Sequence, residues 1–141
     1  YAKTIIKNLS LLVESEAGVN IGGDATKSFD FFVGGYGYKE SSNLVSLYGY
    51  KDLNLRGDTF LKATITFDYN FYKKLHLITS ANIANVGDNL FEDNKWVDAI
   101  DYSGYALGFG ADTFLGPVEI KYSYSPEIEK SVWYVSIGYR F

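Results

Sequence analysis

Leu9 to Ile21 alternates strictly between two kinds of side chain. The odd positions read Leu9, Leu11, Val13, Ser15, Ala17, Val19 and Ile21; the even ones read Ser10, Leu12, Glu14, Glu16, Gly18 and Asn20. A period of two places successive side chains on opposite faces, so this is a β-strand and not a helix. Its length exceeds the usual strand of about 5–6 residues in a soluble protein. The pattern recurs through the chain. Phe60 to Phe71 sets Leu61, Ala63, Ile65, Phe67, Tyr69 and Phe71 against Lys62, Thr64, Thr66, Asp68 and Asn70. Leu75–Ile83, Tyr105–Leu115, Val118–Tyr124 and Trp133–Phe141 repeat it, and Phe29–Tyr38 is a weaker, Gly- and aromatic-rich segment of ambiguous register. The reading is seven antiparallel strands in an all-β, up-and-down arrangement, with residues 1–8 as a strand remnant or short turn.

The connections carry a second pattern. In a meander, alternate connections lie at the same rim. That groups short turns at 22–28, 72–74 and 116 against longer loops at 39–58, 86–101 and 126–130. Short turns at one rim and long loops at the other is the asymmetry of an outer-membrane β-barrel. A soluble antiparallel barrel or sandwich, such as a lipocalin-like binder, alternates too. Three features favour the membrane. Most strands are long enough to cross the hydrocarbon layer at a tilt. Aromatic residues end the apolar faces, as in the girdles at membrane interfaces: Tyr69 and Phe71, Tyr122 and Tyr124, Tyr139 and Phe141, Trp133 and Tyr105. The opposite faces carry Glu14, Glu16, Lys62, Asp68, Asp112, Glu119, Lys121 and Arg140, as a water-filled lumen would. Mean hydropathy of −0.08 fits strands that average apolar with polar residues.

An open sheet in lipid leaves backbone groups unsatisfied, and single-chain bacterial barrels use even strand numbers from about eight. Seven strands in 141 residues therefore imply part of a larger barrel, since Tyr1–Asn8 is too short to span; the alternative is a standalone eight-stranded barrel, a pore or adhesion scaffold, with a strand hidden in residues 1–8. The absence of Met points to a mature chain or a piece of a longer one.

Chemistry is sparse. The chain has no Cys, which excludes a disulfide scaffold, a thiolate metal site and a cysteine nucleophile. A net charge of −4 argues against nucleic acid as a partner. No G-x-S-x-G nucleophile elbow occurs, so the chain is read as no enzyme by itself. His76, the lone imidazole, lies on an inward face with no nucleophile in view and reads as a lumen residue. The inward carboxylates read as partners of Lys62, Lys121 and Arg140 and not as metal ligands, and no cofactor is expected. Gly104, Gly108 and Gly110 share one strand face. No helix follows them to make a phosphate site, so they read as a track of free space.

Four motifs, in order, resemble the bacterial surface-antigen superfamily of outer-membrane barrels. Phe31-Phe32-Val33-Gly34-Gly35 is similar to its FFLGG strand, and Leu47-Tyr48-Gly49-Tyr50 to the (V/I)RG(F/Y) motif of a loop that tucks into the lumen. Gly49 and Tyr50 match, whereas Tyr48 stands where that motif has Arg. Leu115 to Tyr122 resembles the penultimate strand, and Gly138-Tyr139-Arg140-Phe141 the terminal signal read by the barrel assembly machinery through Tyr139 and Phe141. The resemblance covers residues 9–141 and implies the last seven strands of about sixteen. Within the superfamily, Gly116–Pro126 and Ile137–Phe141 look most like the barrel of patatin-like phospholipases. What it implies is a segment that anchors or exports an upstream domain, expected to be a lipase whose catalysis lies before Tyr1, with outer-membrane lipid and the remaining strands, from the same chain or another copy, as partners. An outer-membrane assembly factor is the alternative within the superfamily, disfavoured by Tyr48. The loop bearing Tyr48 and Tyr50 is expected to lie over the glycine track, so that a bulky residue at Gly108 weakens assembly.

Overall fold

A computed structural model describes residues 1–21, 29–35, 43–90, 100–114 and 116–138. The strands are β1 (Ala2–Ile6), β2 (Leu9–Val19), β3 (Phe31–Val33), β4 (Leu44–Val45), β5 (Leu55–Gly57), β6 (Thr59–Tyr72), β7 (Leu75–Gly87), β8 (Tyr102–Thr113), β9 (Gly116–Ser125) and β10 (Lys130–Ile137). Seven of them form one antiparallel sheet in the order β1-β2-β6-β7-β8-β9-β10. The other three make a small sheet, β4-β3-β5, in which β3 runs parallel to β4 and antiparallel to β5. The described residues contain no α-helix.

The count of seven stands, but two of its members change. Residues 2–6, expected to be too short for a strand of the sheet, pair with β2. The Phe29–Tyr38 segment is not a wall strand; its described strand portion is Phe31–Val33, in the small sheet. The reason is local. Phe31 and Val33 are buried and Phe32 is partly so, in a sequence that is a continuous apolar run rather than an alternating one. Gly34 and Gly35 then turn the chain at φ 127° and 54°, where a side chain would be strained. A Cβ on Gly34 would stand 2.3 Å from the Asp52 carbonyl oxygen, so the loop passes directly over it.

β2 pairs with β6 in unbroken register from Leu9↔Tyr69 to Val19↔Thr59. The whole connection 20–58 therefore leaves and re-enters the sheet at one rim. Residues 22–28 do not belong with the short turns, although their own structure lies outside the described residues. Among the described residues the short rim has turns at 7–8, at 73–74 and at Phe114; the connections from β2 to β6, from β7 to β8 and from β9 to β10 start and end at the long rim. Asn8 and Lys73 close two of the short turns at φ 77° and 49°.

The two faces of the wall are inverted relative to a soluble protein. Lys62 is 5 % exposed and Ser123 is fully buried, while Phe109 is 60 % and Trp133 69 % exposed. Most apolar positions of β6 to β10 face outward, and most polar, small and charged ones face inward. This arrangement is stable when the outer face meets hydrocarbon. The outward aromatics gather toward the rims: Tyr105, Tyr122, Tyr124 and Trp133 near the long one, Tyr69, Phe71, Tyr72 and Phe114 near the short one. Tyr122 and Trp133 meet edge to face at 5.0 Å.

One apolar cluster lies on the inside. Phe31, Val33, Val45, Leu47 and Tyr50 of the insert pack on Phe60, Ala84 and Val86, which are inward residues of β6 and β7. Phe31 meets the Phe60 ring at 4.6 Å. A Cβ on Gly18 would collide with both rings at 2.5 Å, so β2 contributes space there. The insert is thus bound to the inner wall near the long rim.

Candidate functional site

The candidate site is the seat of the loop Leu47-Tyr48-Gly49-Tyr50 on that wall. Tyr48 and Tyr50 are buried, and Leu47 is fully so. The loop presents backbone to backbone. A Cβ on Gly104 of β8 would lie 2.1 Å from the Tyr48 carbonyl oxygen. Gly49, at φ 84°, sits on β9: its own Cβ would fall 2.5 Å from the Ser125 amide nitrogen and 2.6 Å from the Tyr124 carbonyl carbon. Glycine at 49 is therefore required twice, by dihedral and by contact.

The glycine track divides by contact. Only Gly104 meets the loop. At Gly108 the space is taken by the Lys121 stem, 2.6 Å from an added Cβ, and at Gly110 ordinary contacts with His76 and Ile78 begin at 3.5 Å. Lys121 is the link between track and loop: its ammonium lies 5.9 Å from the centre of the Tyr48 ring and forms an ion pair with Glu119 Oε1 at 2.6 Å. A cation over an aromatic face contributes about 0.5–2 kcal/mol. The wall thus supplies the cation and the loop the ring, at the position where the loop motif has Arg.

Tyr50 stacks edge to face on Tyr102 at 6.2 Å. Burial pushes its phenol above the ordinary value; the hydroxyl lies beside Ser125 without a well-formed hydrogen bond. Ser125 Oγ donates to Glu127 Oε2 at 2.8 Å and Ser103 Oγ to Oε1 at 2.7 Å. Burial by itself would raise the Glu127 carboxyl; the two hydroxyls and the backbone bonds outweigh it and hold the group below its ordinary value. Sequence reading missed Glu127, Ser103 and Ser125, because only the fold brings residues 24 apart together and no motif marks them.

Farther toward the short rim the inner wall is polar. Lys62 Nζ donates to Glu16 Oε1 at 2.9 Å across the β2–β6 pair. His76 lies between Asp68 and Asp112, with Nδ1 2.8 Å from one and Nε2 3.4 Å from the other. Both ring nitrogens face carboxylates of neighbouring strands, which matches a lumen histidine and leaves none for a nucleophile. The carboxylates sit at opposite ring edges and do not converge on one point. Arg140, Tyr139 and Phe141 lie outside the described residues, as do Tyr36 and Tyr38.

A family model described as the OMP85 superfamily matches residues 1–141. The chain belongs to the OMP85 superfamily. Its place is the bacterial outer membrane, and its function lies in translocation or assembly there. No curated protein and no solved structure matches the chain. The OMP85 assignment accords with the inverted faces and the rim asymmetry, both of which a barrel wall requires.

Proposed function

We propose that the chain is the C-terminal portion of an outer-membrane barrel that anchors or exports a domain carried upstream, with the insert 20–58 as its plug. The observation that carries this reading is the seat of the plug: Tyr48 over Gly104 and Gly49 over Ser125, on the inward side of a sheet whose apolar side faces out. β1 and β10 each keep a free edge in the described sheet. In lipid those edges must pair, so further strands complete the barrel, to about sixteen, from the same chain or a second copy. Tyr139 and Phe141 serve recognition by the assembly machinery. The likeness of Gly116–Pro126 to the barrel of patatin-like phospholipases supports a lipase as the upstream domain, with the catalysis assigned to that domain.

The test is made on the full-length protein in intact cells. The upstream domain is followed by its sensitivity to added protease, with and without replacement of Tyr48-Gly49-Tyr50 by Ala. Surface exposure in the wild type and retention in the variant are expected. Equal exposure in both, with the barrel folded in each, would overturn the role given to the plug. Recovery of the protein from the soluble fraction would overturn the anchor.

A further inference from the structure

At the long rim, the loop tip and the hairpin joining β9 to β10 stand on either side of a cleft of about 630 Å³. Tyr50, Asp52 and Leu55 line one side; Ile128, Lys130 and Trp133 line the other. The hairpin side is tied to the wall through one carboxylate, and the loop side rests on one of that carboxylate's partners. Glu127 belongs to the hairpin and is exposed, yet it accepts from Ser103 on β8 and Ser125 on β9, which are 8 % and 0 % exposed. Ser125 is also the residue on which Gly49 rests and beside which the Tyr50 phenol is buried. The elements meeting at this carboxylate are thus the loop tip, two wall strands and the hairpin leading into edge strand β10.

Resting on the plug reading above, we infer that Glu127 is the positioning residue that keeps the plug seated: its carboxylate fixes Ser125 and the hairpin, and its loss frees the loop tip from the wall and opens the cleft. No cation pairs with Glu127 among the described residues, so the hold is by hydrogen bonds from hydroxyls to a charged acceptor, each stronger than its neutral counterpart. Those bonds also keep the carboxyl below its ordinary value. A lowered carboxyl contributes its stabilisation above the unfolded value and loses it as pH falls through the folded one. The seat is therefore held at neutral pH and loosens as pH falls through that lowered carboxyl. Facing Glu127 are two hydroxyls that do not titrate and the Tyr50 phenol, neutral throughout the acid range. Glu129 and Lys130 flank it on its own hairpin.

The experiment places spin labels on cysteines at Lys51 and Ser131, one on each side of the cleft, in the full-length protein in lipid. The distance distribution is recorded at neutral pH and below the carboxylate range. The wild type is expected to give a narrow distribution at neutral pH that broadens in acid. Glu127→Ala is expected to be broad at both, and Glu127→Asp to recover part of the narrow peak. The double variant Ser103→Ala with Ser125→Ala, which keeps the carboxylate, should be as broad as Glu127→Ala. Heat-modifiable mobility reports that each barrel is folded. A folded Glu127→Ala as narrow as the wild type at neutral pH overturns the inference and leaves the plug reading intact. A wild type broad at neutral pH overturns the plug reading itself.

Discussion

Tyr48 and Gly104 touch through their backbones: a side chain on Gly104 would begin 2.1 Å from the Tyr48 carbonyl oxygen. Neither group can give way, because one is in a buried loop and the other in a hydrogen-bonded strand. Gly104→Val should therefore lift the loop from β8, at the cost of overpacking, about 1–3 kcal/mol or more. The three wall glycines make a graded series. Gly108→Ala meets the Lys121 stem and should cost less. Gly110→Ala makes only ordinary contacts and should be close to neutral. Denaturant midpoints of the refolded barrel rank the three, and any order that puts Gly110 first contradicts the seat.

Phe60 is the wall residue on which the insert rests, edge to face with Phe31. Phe60→Ala removes that ring from a packed cluster and should destabilise by about 3–5 kcal/mol. The loss should fall first on the insert. Protease cleavage within 20–58 is expected to rise while the β6–β7 pair stays protected from hydrogen exchange.

Lys121 joins Glu119 to the Tyr48 ring. Lys121→Arg keeps a cation over that ring and should retain most of the stability. Lys121→Met keeps the stem but not the charge, and should lose about 0.5–2 kcal/mol. Equal denaturant midpoints for the two variants would show that the charge contributes nothing to seating the loop.

The ending Tyr139-Arg140-Phe141 resembles an assembly signal that closes on an aromatic residue. Deleting Phe141 should reduce the amount of protein reaching the outer membrane, measured by fractionation. Undiminished yield would remove Phe141 from that role.

The wall was legible because alternation reports directly on a surface with two solvents. Ile65, Leu107 and Val135 could be assigned to one face, and Lys62, Asn82 and Ser123 to the other, from parity alone. The insert was not legible in the same way. Phe31-Phe32-Val33 is an unbroken apolar run, two of its side chains buried and the third partly so, and such a run resembles a weak wall strand in sequence. Residues 2–6 were passed over for their length, although edge pairing to β2 needs no spanning length. Tyr48, Gly49, Tyr50 and Gly104 were singled out by motif and shared face, while the contact between them is a property of the folded wall. Glu127 carried no signal, because two serines on different strands become its partners only once β8 and β9 are in register.

The central claim is that the odd positions of β6 face lipid and the even ones the lumen. Single cysteines at Ile65, Thr66, Phe67 and Asp68, spin-labelled in the protein in lipid, test it through collisions with oxygen and with a water-soluble nickel chelate. Oxygen should win at Ile65 and Phe67, the chelate at Thr66 and Asp68. The same parity predicts that Ile65→Arg, at mid-strand, costs about 2–4 kcal/mol and Phe71→Arg, at the rim, about 0–1 kcal/mol. Preference for the chelate at Ile65 and Phe67 would contradict the membrane wall and all that is built on it.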